Sequence, residues 1–353
     1  LHRLIRRQRQ MCIRDRAIAR ANKKWEWLGW WPIISAVIIL SYYSMILSLA
    51  MKYLTLSFNK VWGNDTNSYF YNEVLKLSSS PFDFRGIIIP ILIGITLVWL
   101  INWFICYKGI KAGIEKLSKI LLPALLIIMI IIVIKGVTLK GASLGLNTLF
   151  TPDWQKVKDP KVWIAAYGQV FFSLSIATGI MMTYSSYLPK KTDINNSAFM
   201  TAFANCGFEF LSAIGVFAIL GFMATNQGVS IDKVASGGIG LAFIAFPKVF
   251  SVMGTWGNIL SVLFFTCLIF AGLTSAVSLV EAISSAIIDK TAWERKKVVT
   301  GILLVGFIIS LSFATRAGLY LLDIMDNFIN NYGVVVVLSL IHISEPTRHS
   351  LIS

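Results

Sequence analysis

Eight stretches of about twenty or more mostly apolar residues run along the chain, at 28–51, 86–106, 118–138, 162–188, 197–224, 256–288, 298–316 and 319–340. Each is long enough to cross a bilayer as a helix. None shows the alternation of outward apolar and inward polar positions that a barrel strand needs. The pattern predicts an all-α membrane protein. Between the fifth and sixth runs, "GGIGLAFIAFPKVFSVM" (237–253) is apolar but short and is interrupted by glycine and Pro247. It is expected to form an extracellular re-entrant or interfacial hairpin.

Composition agrees: 56% of the residues are hydrophobic and 14% charged, where a soluble domain carries about 25% charged residues. Lys108, Lys111, Lys116 and Lys119 fall between the second and third runs, Lys190 and Lys191 after the fourth, and Lys290, Arg295, Lys296 and Lys297 after the sixth. Those three links are expected to face the cytoplasm, although Lys140, Lys156, Lys158 and Lys161 on the link between the third and fourth runs weaken the contrast.

The ends differ from the body. "RRQRQMCIRDR" (6–16) and "LSLIHISEPTRHSLIS" (338–353) resemble translated sequencing-adapter read-through, so 1–16 and 338–353 are set apart from the body at 17–337. The three histidines, His2, His342 and His349, lie in these arms, and six arginines in 1–16 are offset only by Asp15. Without the arms, nucleic-acid binding loses its main support. The body also lacks the histidine that a Ser-His or Cys-His catalytic pair needs. Cys106, Cys206 and Cys267 have no paired spacing and read as small buried hydrophobes.

One stretch asks for a functional reading. "FFSLSIATG" (171–179) places Ser173, Ser175, Ala177, Thr178 and Gly179 near the middle of the fourth run. A helix broken at that depth frees carbonyls, which are tolerated only inside protein or along a cavity. In transporters such carbonyls and half-helix ends coordinate sodium and substrate. Taken alone, small residues can equally serve close helix packing, which leaves a channel or a membrane scaffold open.

"GQVFFSLSIATG" resembles the unwound sixth helix of the neurotransmitter:sodium symporter family, in its bacterial form. "ILSYYSMI" (39–46) resembles that family's third helix, "GIEKLSKILLP" (113–123) its fifth, "FANCGFEFL" (203–211) its seventh and "IFAGLTSAVSLVE" (269–281) its eighth. The resemblance runs from about Trp25 to Val337. It implies a multi-pass protein of a cell membrane, the bacterial inner membrane, with a fold of two inverted five-helix repeats and a break at 172–179. It also implies a fragment running from the third helix to a cut-off tenth, and a fragment without the first helix is expected not to transport.

The resemblance further implies two sodium sites, each missing its first-helix ligands. Ser173 and Asn205 would serve the first, and the Ala271 carbonyl with the Thr274 and Ser275 hydroxyls the second. Positions 271, 274 and 275 share one helix face, so one cation can reach all three. Ile39, Tyr43, Phe172, Ser175, Thr178, Ser275 and Leu279 would line a pocket for a small amino acid, with the Tyr43 hydroxyl on its carboxylate. Glu209, four residues after Asn205, would supply the negative charge that a bound chloride supplies in other members. Phe172 and Asp326 would belong to an extracellular gate. No Asp, Glu, Arg or Lys lies among the proposed side-chain contacts, so a neutral, hydrophobic amino acid is the expected substrate.

Overall fold

The computed structural model describes residues 30–63, 65–175, 178–189, 192–234, 238–329 and Gly333. The terminal arms, Lys190, Lys191 and most of the last apolar run beyond 329 lie outside the described residues. The regular structure of the described residues is helical, apart from an isolated bridge between Ile87 and Thr315.

The chain order is α1 (Trp31–Ser57), α2 (Ile89–Tyr107), α3 (Lys116–Val137), α4 (Ala142–Phe150), α5 (Pro160–Ser173), α6 (Ile180–Ser186), α7 (Ile194–Gln227), α8 (Phe246–Val252), α9 (Gly254–Thr291), α10 (Arg295–Ser310) and α11 (Gly318–Phe328). Six helical segments among the described residues are long and apolar enough to cross a membrane: α1, α2, α3, α7, α9 and α10. The fourth expected run is divided between α5 and α6, each too short to span alone.

The core forms around α1. Its most apolar stretch is 72% buried, against 22% for α3, so α1 is central and α3 peripheral. α1 packs chiefly along α9 and α2. Its serines, which find no water among apolar neighbours, bond to backbone instead. Ser41 Oγ donates to Val37 O at 2.8 Å, and Ser48 Oγ crosses to Ile91 O on α2 at 2.8 Å. The Ser41 carbonyl in turn accepts from Ser310 Oγ on α10 at 3.0 Å. These bonds tie three helices together where lipid offers none.

Elsewhere small residues permit close approach. A side chain at Gly145 on α4 would strike the Phe217 carbonyl, and one at Gly221 would strike α4 backbone, so α4 lies directly on the C-terminal half of α7. The first turns of α7 are largely exposed, with Phe199 at 66% and Phe203 at 74%.

Residues 238–252 depart from the expected interrupted hairpin. They form one helical run, a turn and a π-helical Leu241–Ala245 leading into α8. Pro247 falls in the first turn of α8, where a missing N–H costs little. The run is sewn to the linker after α1 by Thr66 Oγ1 to Ile244 O at 2.9 Å and Trp62 Nε1 to Ser251 Oγ at 2.9 Å. Beneath them Tyr53, Trp62, Phe70, Phe243 and Phe265 form one aromatic cluster.

Candidate functional site

The break begins where α5 runs out. Leu174 N still reaches Val170 O at 3.1 Å, but Ser175 adopts φ +54° and Gly179 φ +75°. A left-handed residue cannot continue a right-handed helix, and for serine it is uncommon. The local turn is held by Thr178 Oγ1 donating to Ser175 O at 3.0 Å. α6 then starts afresh, with Thr183 Oγ1 on Gly179 O at 3.0 Å.

Three residues named from the family resemblance meet at the end of α5. Asn205 Nδ2 on α7 donates to Ser173 Oγ at 2.7 Å and to Glu209 Oε1 at 3.2 Å. All three side chains are half-buried. The amide donates with its nitrogen, so its carbonyl oxygen stays available beside the Ser173 hydroxyl. Two hard oxygens with a carboxylate behind them suit a small monovalent cation.

A second group lies on α9. Thr274 Oγ1 donates to Ala271 O at 2.8 Å and to Phe270 O at 3.2 Å, so the three groups of this site include one back-bonded hydroxyl. That bond uses the hydroxyl hydrogen and leaves oxygen lone pairs free. Ser275 is exposed although Ala276 and Leu279 beside it are buried. Its hydroxyl is within hydrogen-bonding reach of the Tyr43 phenol, which also faces Gly272. Tyr43 and Ser275 therefore face each other between α1 and α9.

α6 and the residue that ends it dock along α9 through polar side chains spaced one turn apart. Tyr184 Oη and Ser278 Oγ are 2.8 Å apart, Ser278 Oγ donates to Thr274 O at 2.9 Å, and Tyr187 Oη donates to Glu281 Oε1 at 2.6 Å. The half-helix after the break is thus fixed to the helix that carries the second group.

Not every expected residue is drawn in. Ile39 and Leu279 are buried at 5% exposure each, while Phe172 is 52% exposed and so does not form a packed lid over Tyr43 in this structure. Asp326 on α11 is half-buried and accepts from Tyr42 Oη at 2.8 Å, which ties it to α1 one residue before Tyr43.

The most buried ion pair among the described residues is one that the residue pattern does not announce. Glu281 is fully buried and meets Arg295 in a two-pronged contact, Nη1 to Oε1 at 2.9 Å and Nη2 to Oε2 at 2.5 Å. Arg295 Nη2 also reaches Cys106 O at the end of α2 at 3.3 Å. A carboxylate inside an apolar run was the available signal.

The model of the sodium:neurotransmitter symporter family matches residues 62–346. The chain belongs to this family. An uncharacterised sodium-dependent transporter of Methanocaldococcus jannaschii is 43% identical over 316 residues, covering 90% of this chain and 64% of that protein. The sodium- and chloride-dependent glycine transporter 1 of Xenopus laevis is 32% identical, covering 80% of this chain and 46% of that protein. The creatine transporter of Torpedo marmorata is 35% identical, with 74% and 43% covered. The chain thus spans less than two thirds of the length of these relatives. The family is one of transporters rather than enzymes, and the six membrane-capable helices among the described residues make the chain a multi-pass membrane protein.

Proposed function

We propose that the protein carries a neutral, hydrophobic amino acid across a cell membrane, the inner one if the cell is bacterial, driven by sodium and without chloride. The observation that carries this reading is the Asn205 carboxamide joining Ser173 at the helix break to Glu209. In the proposal Ser173 and Asn205 give oxygens to the first sodium ion, and Glu209 balances its charge. Ala271, Thr274 and Ser275 hold the second.

Substrate sits, in this reading, against Tyr43 and Ser275, between the break and α9. Its carboxylate accepts from the Tyr43 hydroxyl, and its side chain meets Ile39, Leu279, Phe172, Ser175 and Thr178. Asp326, with Phe172, serves the gate on the outer side. Two relatives bear glycine and creatine in their names. The apolar surface of Ile39 and Leu279 favours a larger side chain here, since each buried methylene is worth about 0.8 kcal/mol.

A panel of labelled amino acids presented to a full-length protein carrying these residues tests the substrate class. Displacement by leucine or an aromatic amino acid ahead of glycine, glutamate and lysine supports it. Displacement by glycine alone contradicts it.

A further inference from the structure

The end of α2 and the start of α10 form a surface that the transport reading does not use. Lys108 Nζ lies 3.8 Å from the centroid of the Phe104 ring, and Lys296 Nζ lies 5.0 Å from that of Tyr107. Residues 104, 107 and 108 share one face of α2, so the two ammonium groups sit at one edge. The edge is rigid: the Trp103 and Tyr107 rings are 5.0 Å apart, and Trp103 Nε1 donates to Thr300 Oγ1 on α10 at 3.1 Å.

Arg295 nearby is occupied by Glu281, whereas Lys108 and Lys296 are exposed and form no ion pair among the described residues. Lys297 is exposed as well, and Glu294 is the exposed acid at this helix start. Positive charge therefore remains in excess. α2 and α10 run antiparallel here, so exposed Leu97 and Leu100 on one and Leu304 and Ile308 on the other lead away from the lysines into the apolar zone. Cations at the edge, aromatic rings at the interface and an apolar strip behind them match one occupant, a phospholipid with an anionic headgroup.

We propose that the α2–α10 junction binds an anionic phospholipid, with its phosphate between Lys108 and Lys296 and an acyl chain along Leu100 and Leu304. The charge belongs to the headgroup and the apolar strip to the chains, so a free phosphate would use only half of the surface.

The test measures lipid retained by the purified chain in detergent, by native mass spectrometry, with phosphatidylglycerol against phosphatidylcholine. Phosphatidylglycerol should be preferred, and Lys108→Gln with Lys296→Gln should reduce that preference by about 25-fold, about fivefold per lysine. Arginine at both positions should keep it. The paired change Lys116→Gln and Lys119→Gln, on the same basic side but outside the junction, should leave it unaltered. Equal loss in that control would reduce the site to diffuse surface charge and overturn the proposal. Retention by the first double variant, or release of the lipid by inorganic phosphate alone, would overturn it too.

Discussion

Asn205 Nδ2 donates to Ser173 Oγ across 2.7 Å, from an intact helix to the last residue of a broken one. The same nitrogen reaches Glu209 at 3.2 Å, so a single amide couples the break to a carboxylate. Such an arrangement gives a polar side chain in an apolar run its partners and leaves two oxygens for a cation.

Replacing Asn205 with leucine should therefore raise the sodium concentration for half-maximal substrate binding in the full-length protein by roughly tenfold, about one net hydrogen bond and ligand dipole. The measurement is a sodium titration at fixed substrate. An unchanged midpoint would remove Asn205 from the site.

Glu209→Ser should make binding depend on chloride, because the fixed charge beside the proposed first sodium site is then gone. The unaltered protein should bind equally well in chloride and in gluconate. Substrate binding by the unaltered protein that fails in gluconate would contradict this role.

Much of this site was legible because the break is written in residue types. Ser173, Ser175, Thr178 and Gly179 interrupt an apolar run, and the backbone carries positive φ at Ser175 and Gly179. The four-residue spacing of Asn205 and Glu209 likewise puts both on one helix face. Glu281 and Arg295 were not legible as a pair, since fourteen positions and a helix turn-around separate them. Their contact depends on how α10 returns along α2. The docking of Tyr184 and Tyr187 on α9 is hidden for the same reason, as isolated tyrosines carry no periodic signal. At 238–252 the glycines and Pro247 suggest an interruption, but proline in the first turn of α8 is compatible with helix.

The Glu281–Arg295 pair makes a stability prediction. Glu281→Leu leaves the Arg295 charge half-buried without its partner, which should cost about 3–5 kcal/mol. Glu281→Met together with Arg295→Met should recover most of that loss, and Tyr187→Phe should cost only about 1 kcal/mol. Thermal unfolding in detergent ranks the three variants. A double variant as unstable as Glu281→Leu would contradict the charge argument.

Tyr43→Phe separates binding from folding. Tyr43→Phe forfeits a single hydroxyl contact, to the exposed Ser275, so stability should change by about 1 kcal/mol or less. Substrate affinity should fall at least tenfold, because a hydrogen bond to a carboxylate is worth about 1.5–3 kcal/mol. Unaltered affinity would move the carboxylate elsewhere.

The central claim is that the oxygens at Ser173, Asn205 and α9 make substrate binding depend on sodium. Equilibrium binding of labelled leucine to the full-length protein, in sodium and then in potassium at equal ionic strength, tests it most directly. The account predicts saturable binding in sodium, abolished in potassium and weakened by Asn205→Leu and by Thr274→Val. Equal binding in both salts, unaffected by either substitution, would contradict it.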